Sequence, residues 1–410
     1  MRFKLRLGIS GTACGVLLAL GSCTTRQLQP YPTDARRAPE SAADRQPPRL
    51  PAGPLPVLIE AATGSSRLEL IATTGAKIVV QRAGDLVIAS GGQAGKSVQL
   101  SGPLEFRGRT YPGAMTAEPA PEGGLQLINR VSLEDYVAGV VAAELTLWSA
   151  QPAELEAQAI AVRTYALRAL ATRGGSRGGP LVDGVQDQAY RGAFLPGSSA
   201  GAQRAAARLK TAVASTRGQV LTEGGLLADV RYHAACGGRT ANRASVFPGT
   251  QPSPPRPCAP CAQRDAEETL AGGPGVQRPL AWSLELGPQQ LTELGDALQL
   301  GGPVLSMEAS EVDVGERWLH ARVTSSARSS EVPAEALRAA IGHSVLKSTQ
   351  ITEVLVSTNS LSIRGRGRGH GVGLCQESSR DYASEGWSAE RILRHYYPAM
   401  QVTTLSEARP

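Results

Sequence analysis

The chain has 410 residues, 41% of them apolar and only 4% aromatic, and a formal net charge of +6 carried mostly by arginine. That is enough apolar material for a real core and for two or three domains, which excludes a chain too polar to fold. The positive balance favours an acidic partner, whether nucleic acid, anionic lipid or a carboxylate-bearing polymer, and does not choose among them.

The N-terminus, "MRFKLRLGISGTACGVLLALGSC", sets Arg2, Lys4 and Arg6 before an apolar run that ends at Leu20-Gly21-Ser22-Cys23. A basic start followed by a run too short to span a bilayer comfortably is an export signal. The small residues before Cys23 resemble a bacterial lipobox. Residues 1–22 are therefore expected to be a lipoprotein signal peptide and Cys23 the lipidated first residue. The product would be an exported, membrane-anchored protein facing the periplasm or cell wall. Residues 23–54 are rich in Pro, Arg and Ala without apolar period and read as a disordered tether.

From 55 to about 130 come short β-like runs cut by glycine, among them "LELIATT", "AKIVVQ" and "GLQLINRV", which predict a small antiparallel β unit. The period then turns helical. Ser132 and Asp135 form a capping signal before "LEDYVAGVVAAEL". A second helix is predicted over "PAELEAQAIAVRTYALRALATR", with Pro152 in its first turn, and a third over about 202–216, stopping at Gly218. Strand-like runs resume with "QVLT" and "LADVRYHA". Residues 269–360 mix short helices and strands. The chain closes with "WSAERILRHYYP", a helix capped by Ser388 and stopped before Pro398. The fold class is α+β: a β unit (55–130), a helical core with a His/Cys loop (131–268), a mixed insertion (269–360), and a Gly-His loop with a C-terminal helix (361–405).

On a helical wheel, Leu133, Val137, Val140 and Glu144 fall within about 60° of one another. Glu144 thus lies in line with an apolar stripe, where an ionised carboxylate is costly. Either the helix ends there and Glu144 reaches solvent or an arginine, or the carboxyl sits in a partly apolar cleft, keeps its proton and can donate it. On the second helix Gln158 and Tyr165 lie along one edge of the stripe Leu155, Ala159, Val162, Ala166 and Leu170, and Arg163 lies on the other.

Beyond the leader and Cys23 there are four cysteines: Cys236, Cys258, Cys261 and Cys375. "YHAACGG" supplies His233-x-x-Cys236 and "PCAPC" supplies Cys258-x-x-Cys261, a spacing that suits zinc. An oxidising compartment suits disulfides among the four instead. Both stay open. The stretch "RGRGRGHGVGLCQ", residues 364–376, reads as an RNA-binding tract, a phosphate cradle or the floor of a site. Export leaves no nucleic acid to bind.

Taken in order, "INRVSLEDYVAGVVAAEL", "PAELEAQAIAVRTYAL", "DQAYRG", "YHAACGGRTAN", "GRGRGHGVGLCQ" and "ILRHYYP" resemble the SpoIID/LytB family over residues 55–402. The resemblance implies a peptidoglycan lytic transglycosylase. Such an enzyme cuts the MurNAc–GlcNAc bond without water and leaves a 1,6-anhydro end, with Glu144 as its single general acid and base. It also implies zinc on His233 and Cys236, with Cys258 and Cys261 as partners. Groove residues would be Gln158, Arg163, Tyr165, Gln188, Tyr190, His370 and Gln376. In that groove the glycines of 364–376 would let backbone approach a glycan, and Arg364, Arg366 and Arg368 would meet the lactyl carboxylate. The chain departs from the family at Leu145-Thr146, where Met-Pro is usual, and at Cys375–Ser379, where Ser-Gln-Trp-Gly-Ala is common. The alternative is a non-catalytic peptidoglycan-binding module that recruits or stimulates a wall amidase.

Overall fold

The computed structural model describes residues 48–173, 179–184, 186–264 and 280–405. The leader, Cys23 and the tether up to residue 47 lie outside them. Among the described residues no helix is long and apolar enough to cross a membrane.

The protein is α+β. Residues 55–131 make two antiparallel sheets. In one, Leu55–Leu58 pairs with Leu125–Val131, which continues through Ala114–Pro119 to Val98–Leu100. The other runs through Arg67–Ala72, Lys77–Ala83 and Leu86–Ala89. The alternation is visible at Arg67–Ala72, where Leu68 and Leu70 are buried between exposed neighbours. These inward residues share one core with three helices, α1 (Leu133–Glu144), α2 (Pro152–Thr172) and α3 (Ala200–Ser215). Ser132 caps α1 by accepting from the Asp135 amide at 3.2 Å, as its sequence predicts.

A second core lies on the other side of α2. Ala157, Ile160 and Ala161 pack there against the four cysteines and the C-terminal helix Ala389–Tyr396. Two strand pairs tie the chain's end to its middle: Gln219–Glu223 runs antiparallel to Gln401–Thr404, and Tyr232–His233 runs parallel to Leu374–Cys375. Between them the chain makes an excursion with its own core, built on Leu291, Leu337, Val323 and Ile363. Leu361–Arg366 is the central strand of that excursion's sheet, flanked by Ala281–Leu286 and Ile351–Val356.

Candidate active site

Glu144 is the last residue of α1. It is half-buried, and its carboxyl is enclosed by groups from three directions. Oε1 accepts from the Ala189 amide at 3.1 Å, and Oε2 lies 3.5 Å from Nε2 of Gln376. Burial pushes the carboxyl up from its ordinary value. The Ala189 amide, Gln376, Tyr232 and the charge of Arg191 oppose that in decreasing order. A helix C-terminus adds a negative field, which favours the protonated form again. The result is a carboxyl shifted towards its protonated form and held by donors, with solvent on one side.

What brings these donors together is packing that single-chain periodicity does not show. Gly139 lies in the middle of α1, and a Cβ there would stand 2.5 Å from the Gly192 carbonyl and 2.7 Å from the Tyr190 ring. The missing side chain lets the 186–192 loop lie on α1 and deliver the Ala189 amide. Tyr190 anchors that loop. It is fully buried, donates to Asn129 Oδ1 at 2.8 Å and packs on Tyr136 with ring centres 5.1 Å apart. Gln188 is buried and accepts from Tyr136 Oη at 3.1 Å.

Several residues expected in the groove have other duties. Arg163 is wholly buried, with a two-point ion pair to Glu134 at 2.6 and 3.0 Å and a bond to the Gln219 carbonyl at 3.0 Å. It fastens α1, α2 and the 219–223 strand, and with Tyr190 it belongs to the framework. Gln158 is also buried, and both its side-chain polar atoms lack a partner. Tyr165 is the more open of the α2 residues. It donates to Asp187 Oδ1 at 2.9 Å, with Arg231 above its ring at 5.4 Å.

The glycine-rich motif divides in two. Arg364 lies exposed in the excursion's central strand and pairs with Glu353 at 2.8 Å. Arg366 ends that strand, and Arg368 pairs through its backbone with Ala235. The glycines at 365, 367, 369, 371 and 373 serve the protein's own packing, not a glycan. A Cβ at any of them would meet protein atoms within 2.0–2.9 Å, such as the Arg231 carbonyl at Gly373 and the Arg317 guanidinium at Gly371. His370 accepts from the Val372 amide at 3.0 Å and packs on Phe247 and His233. It is Gln376, at the motif's far end, that reaches Glu144.

Cys236, Cys258, Cys261 and Cys375 form one buried cluster, their sulfurs within 4.8 Å of one another and none in a disulfide. Cys261 and Cys375 stand 3.7 Å apart, well beyond a covalent S–S length, and Ser378 Oγ lies 2.8 Å from Cys258 and 2.9 Å from Cys261. Four convergent buried thiols suit a structural tetrahedral metal site, and no pair of them is joined as a disulfide. The fourth member is Cys375 in place of His233. The His233 Nδ1 bonds the Val372 carbonyl at 3.1 Å, and burial lowers its imidazole to about 3, so it stays neutral.

Two neighbours of the site escaped the sequence reading. Tyr232 stands beside Glu144, and Arg191 is exposed within reach of its charge; Trp148, four residues past Glu144 in sequence, is 71% exposed. Tyr232 was in view as the residue before His233, and Trp148 as the first aromatic after the acid.

The SpoIID family profile, described as stage II sporulation protein, matches residues 121–222, the stretch holding Glu144, α2 and the 186–192 loop. Stage II sporulation protein D of Bacillus amyloliquefaciens is 26% identical over 281 residues, covering 67% of this chain and 75% of that protein. Its counterpart in Bacillus subtilis strain 168 is 23% identical over 313 residues, covering 75% of this chain and 85% of that protein. The amidase enhancer of the same strain is 37% identical over 73 residues, 18% of this chain and 10% of that protein. With its motifs in the family's order and the helix that ends in Glu144 inside the matched span, the chain is similar to the SpoIID/LytB family.

Proposed function

We propose that the chain acts on the cell wall as a peptidoglycan lytic transglycosylase with Glu144 as its one acid and base. The observation that carries this reading is a carboxyl at a helix C-terminus, pushed towards its protonated form by burial, yet open to solvent on one side and bonded to a backbone amide and a carboxamide. The groups bonded to its oxygens include no second acid, so a two-carboxylate hydrolase is not what they suggest. In the step proposed, the Glu144 proton goes to the glycosidic oxygen as the C1–O bond breaks. The carboxylate then takes the proton of the muramic acid 6-hydroxyl as O6 bonds to C1. Atoms balance without water, and Glu144 ends as it began. The Ala189 amide and Gln376 hold the carboxylate between the two transfers.

The thiol cluster would hold zinc, which in a site of four thiolates supplies structure and not chemistry. The cluster sits one residue from Gln376, so its work is to fix that side chain. Export with lipidation at Cys23 completes the proposal, placing the domain at the wall.

The second reading, a wall-binding partner of an amidase, is supported by the likeness to the amidase enhancer. Digestion of isolated sacculi separates the two. The enzyme reading expects new anhydro-muramic ends with the native chain and none with Glu144→Gln. Binding to sacculi with no anhydro product, together with a faster added amidase, supports the module.

A further inference from the structure

Beside Glu144 stands a group to which the reaction above gives no work. The Tyr232 hydroxyl is sealed from solvent and has no hydrogen-bond partner, and the Nε2 of Gln188 is in the same state. A polar group is not buried unbonded without cost, and a native fold usually spends it on something. Tyr232 opens the two-residue strand that runs parallel to Leu374–Cys375, and the residue after that partner strand is Gln376. One strand pair therefore brings two polar side chains towards a single carboxyl: Gln376 reaches Oε2, and the Tyr232 hydroxyl stands near enough to Glu144 to favour its ionised form, though it completes no hydrogen bond. Burial keeps that hydroxyl protonated far above its ordinary range, so Tyr232 is a donor at every working pH and never an acid in its own right.

We propose that Tyr232 is a positioning residue for Glu144: its hydroxyl closes onto the carboxylate once the proton has left, and holds it aimed until the second proton arrives. This rests on the reading of Glu144 as the acid. The charged and titratable groups around the pair are few and placed. Tyr136 comes from α1 and donates to Gln188. Tyr165 comes from α2 and donates to Asp187, which also pairs with Arg173. Arg191 comes from the 186–192 loop and has no ion-pair partner among the described residues. Asp187 is thus already committed to an arginine. Arg191 favours the carboxylate from the solvent side, and Tyr232 is the buried donor left to act when the carboxyl ionises.

The test is a carboxyl titration that needs no turnover. Infrared difference spectra of the full-length protein over a pH series, with the Glu144→Gln spectrum subtracted, give the ionisation midpoint of Glu144. In Tyr232→Phe, which keeps the ring and loses the donor, the midpoint should rise by about one pH unit. The high-pH limb of anhydro-product formation should rise by the same amount, with KM unchanged and kcat down roughly tenfold. Should Tyr232→Phe fail to fold, 3-fluorotyrosine at position 232 keeps the shape and strengthens the donor, and the midpoint must then fall. A midpoint that stays in place in the folded variant overturns the proposal. A midpoint that shifts in a protein making no anhydro product would leave Tyr232 beside Glu144 as proposed and refute the enzymatic reading alone.

Discussion

At the scale of single residues, the proposed chemistry turns on Glu144. As an acid it must carry its proton when substrate arrives, so product formation should fall as pH rises through its raised ionisation range. Glu144→Gln keeps the shape and bonds of the side chain but has no proton to transfer. It should lose anhydro product by a factor on the order of a thousand or more, the upper part of what acid–base catalysis contributes. Its thermal melt should be equal or higher, because a carboxyl that prefers to be neutral is no support to the fold when ionised. A melt lowered by several degrees would make Glu144 a structural partner. The sequence exposed this residue because a capped helix of known start fixes the wheel. It could not expose Tyr232 or Arg191, since each meets Glu144 only through a strand pair or a loop laid on α1.

At the scale of elements, two junctions set the site. The first is Gly139 against the 186–192 loop. Gly139→Ala leaves α1 a better helix in isolation and yet pushes the Ala189 amide off the acid. Activity should drop on the order of a hundredfold from misplacement alone, while stability falls by about 1–3 kcal/mol. Paired kinetics and denaturant unfolding would show whether the loss of rate outruns the loss of fold. The second is the start of α2, where Glu154 accepts from the Gln151 amide at 3.0 Å and pairs with Arg380 of the Gln376–Ser384 helix at 3.4 Å. Burial raises Glu154 to about 7 against the pull of Arg380 and that amide. A raised carboxyl holds its proton more tightly in the folded chain. Its contribution is therefore full below about pH 4.5 and drains away as pH rises to about 7. Relative to Glu154→Gln, the native chain should lose on the order of 3 kcal/mol between pH 4.5 and 7.5. Melts of both proteins at the two pH values give the difference directly, and parallel curves would show that Glu154 is ionised throughout. Helices with clean caps were legible at this scale, as the start of α1 at Ser132 shows. The true role of the glycines in 365–373 was not, because a glycine's neighbours are set by distant chain.

For the whole molecule, the thiol cluster joins segments far apart in sequence. Metal analysis of purified protein should find one zinc per chain, and Cys261→Ser should abolish it and lower the melt by several degrees. No zinc, with four titratable thiols in native protein, would remove the metal. Cys23→Ser should move the protein from the membrane fraction to the soluble one, and persistence at the membrane would remove the lipid anchor. Spacing alone paired His233 with Cys236. It could not see that parallel pairing of 232–233 with 374–375 carries Cys375 into the group, since the two strands are separated by the entire excursion.

The excursion lies between Cys261 and Cys375, which are 114 residues apart in sequence and meet in the thiol cluster, so the cluster closes a loop of that length. Closure cost grows only with the logarithm of length: doubling the loop would add about 0.6 kcal/mol. The excursion is in this sense a cartridge. Its outlying loops can be lengthened with little penalty at the neck, provided Arg317, which donates to the Cys236 carbonyl at 2.7 Å, stays in place. Gln376, fixed one residue beyond the closing cysteine, would still meet Glu144.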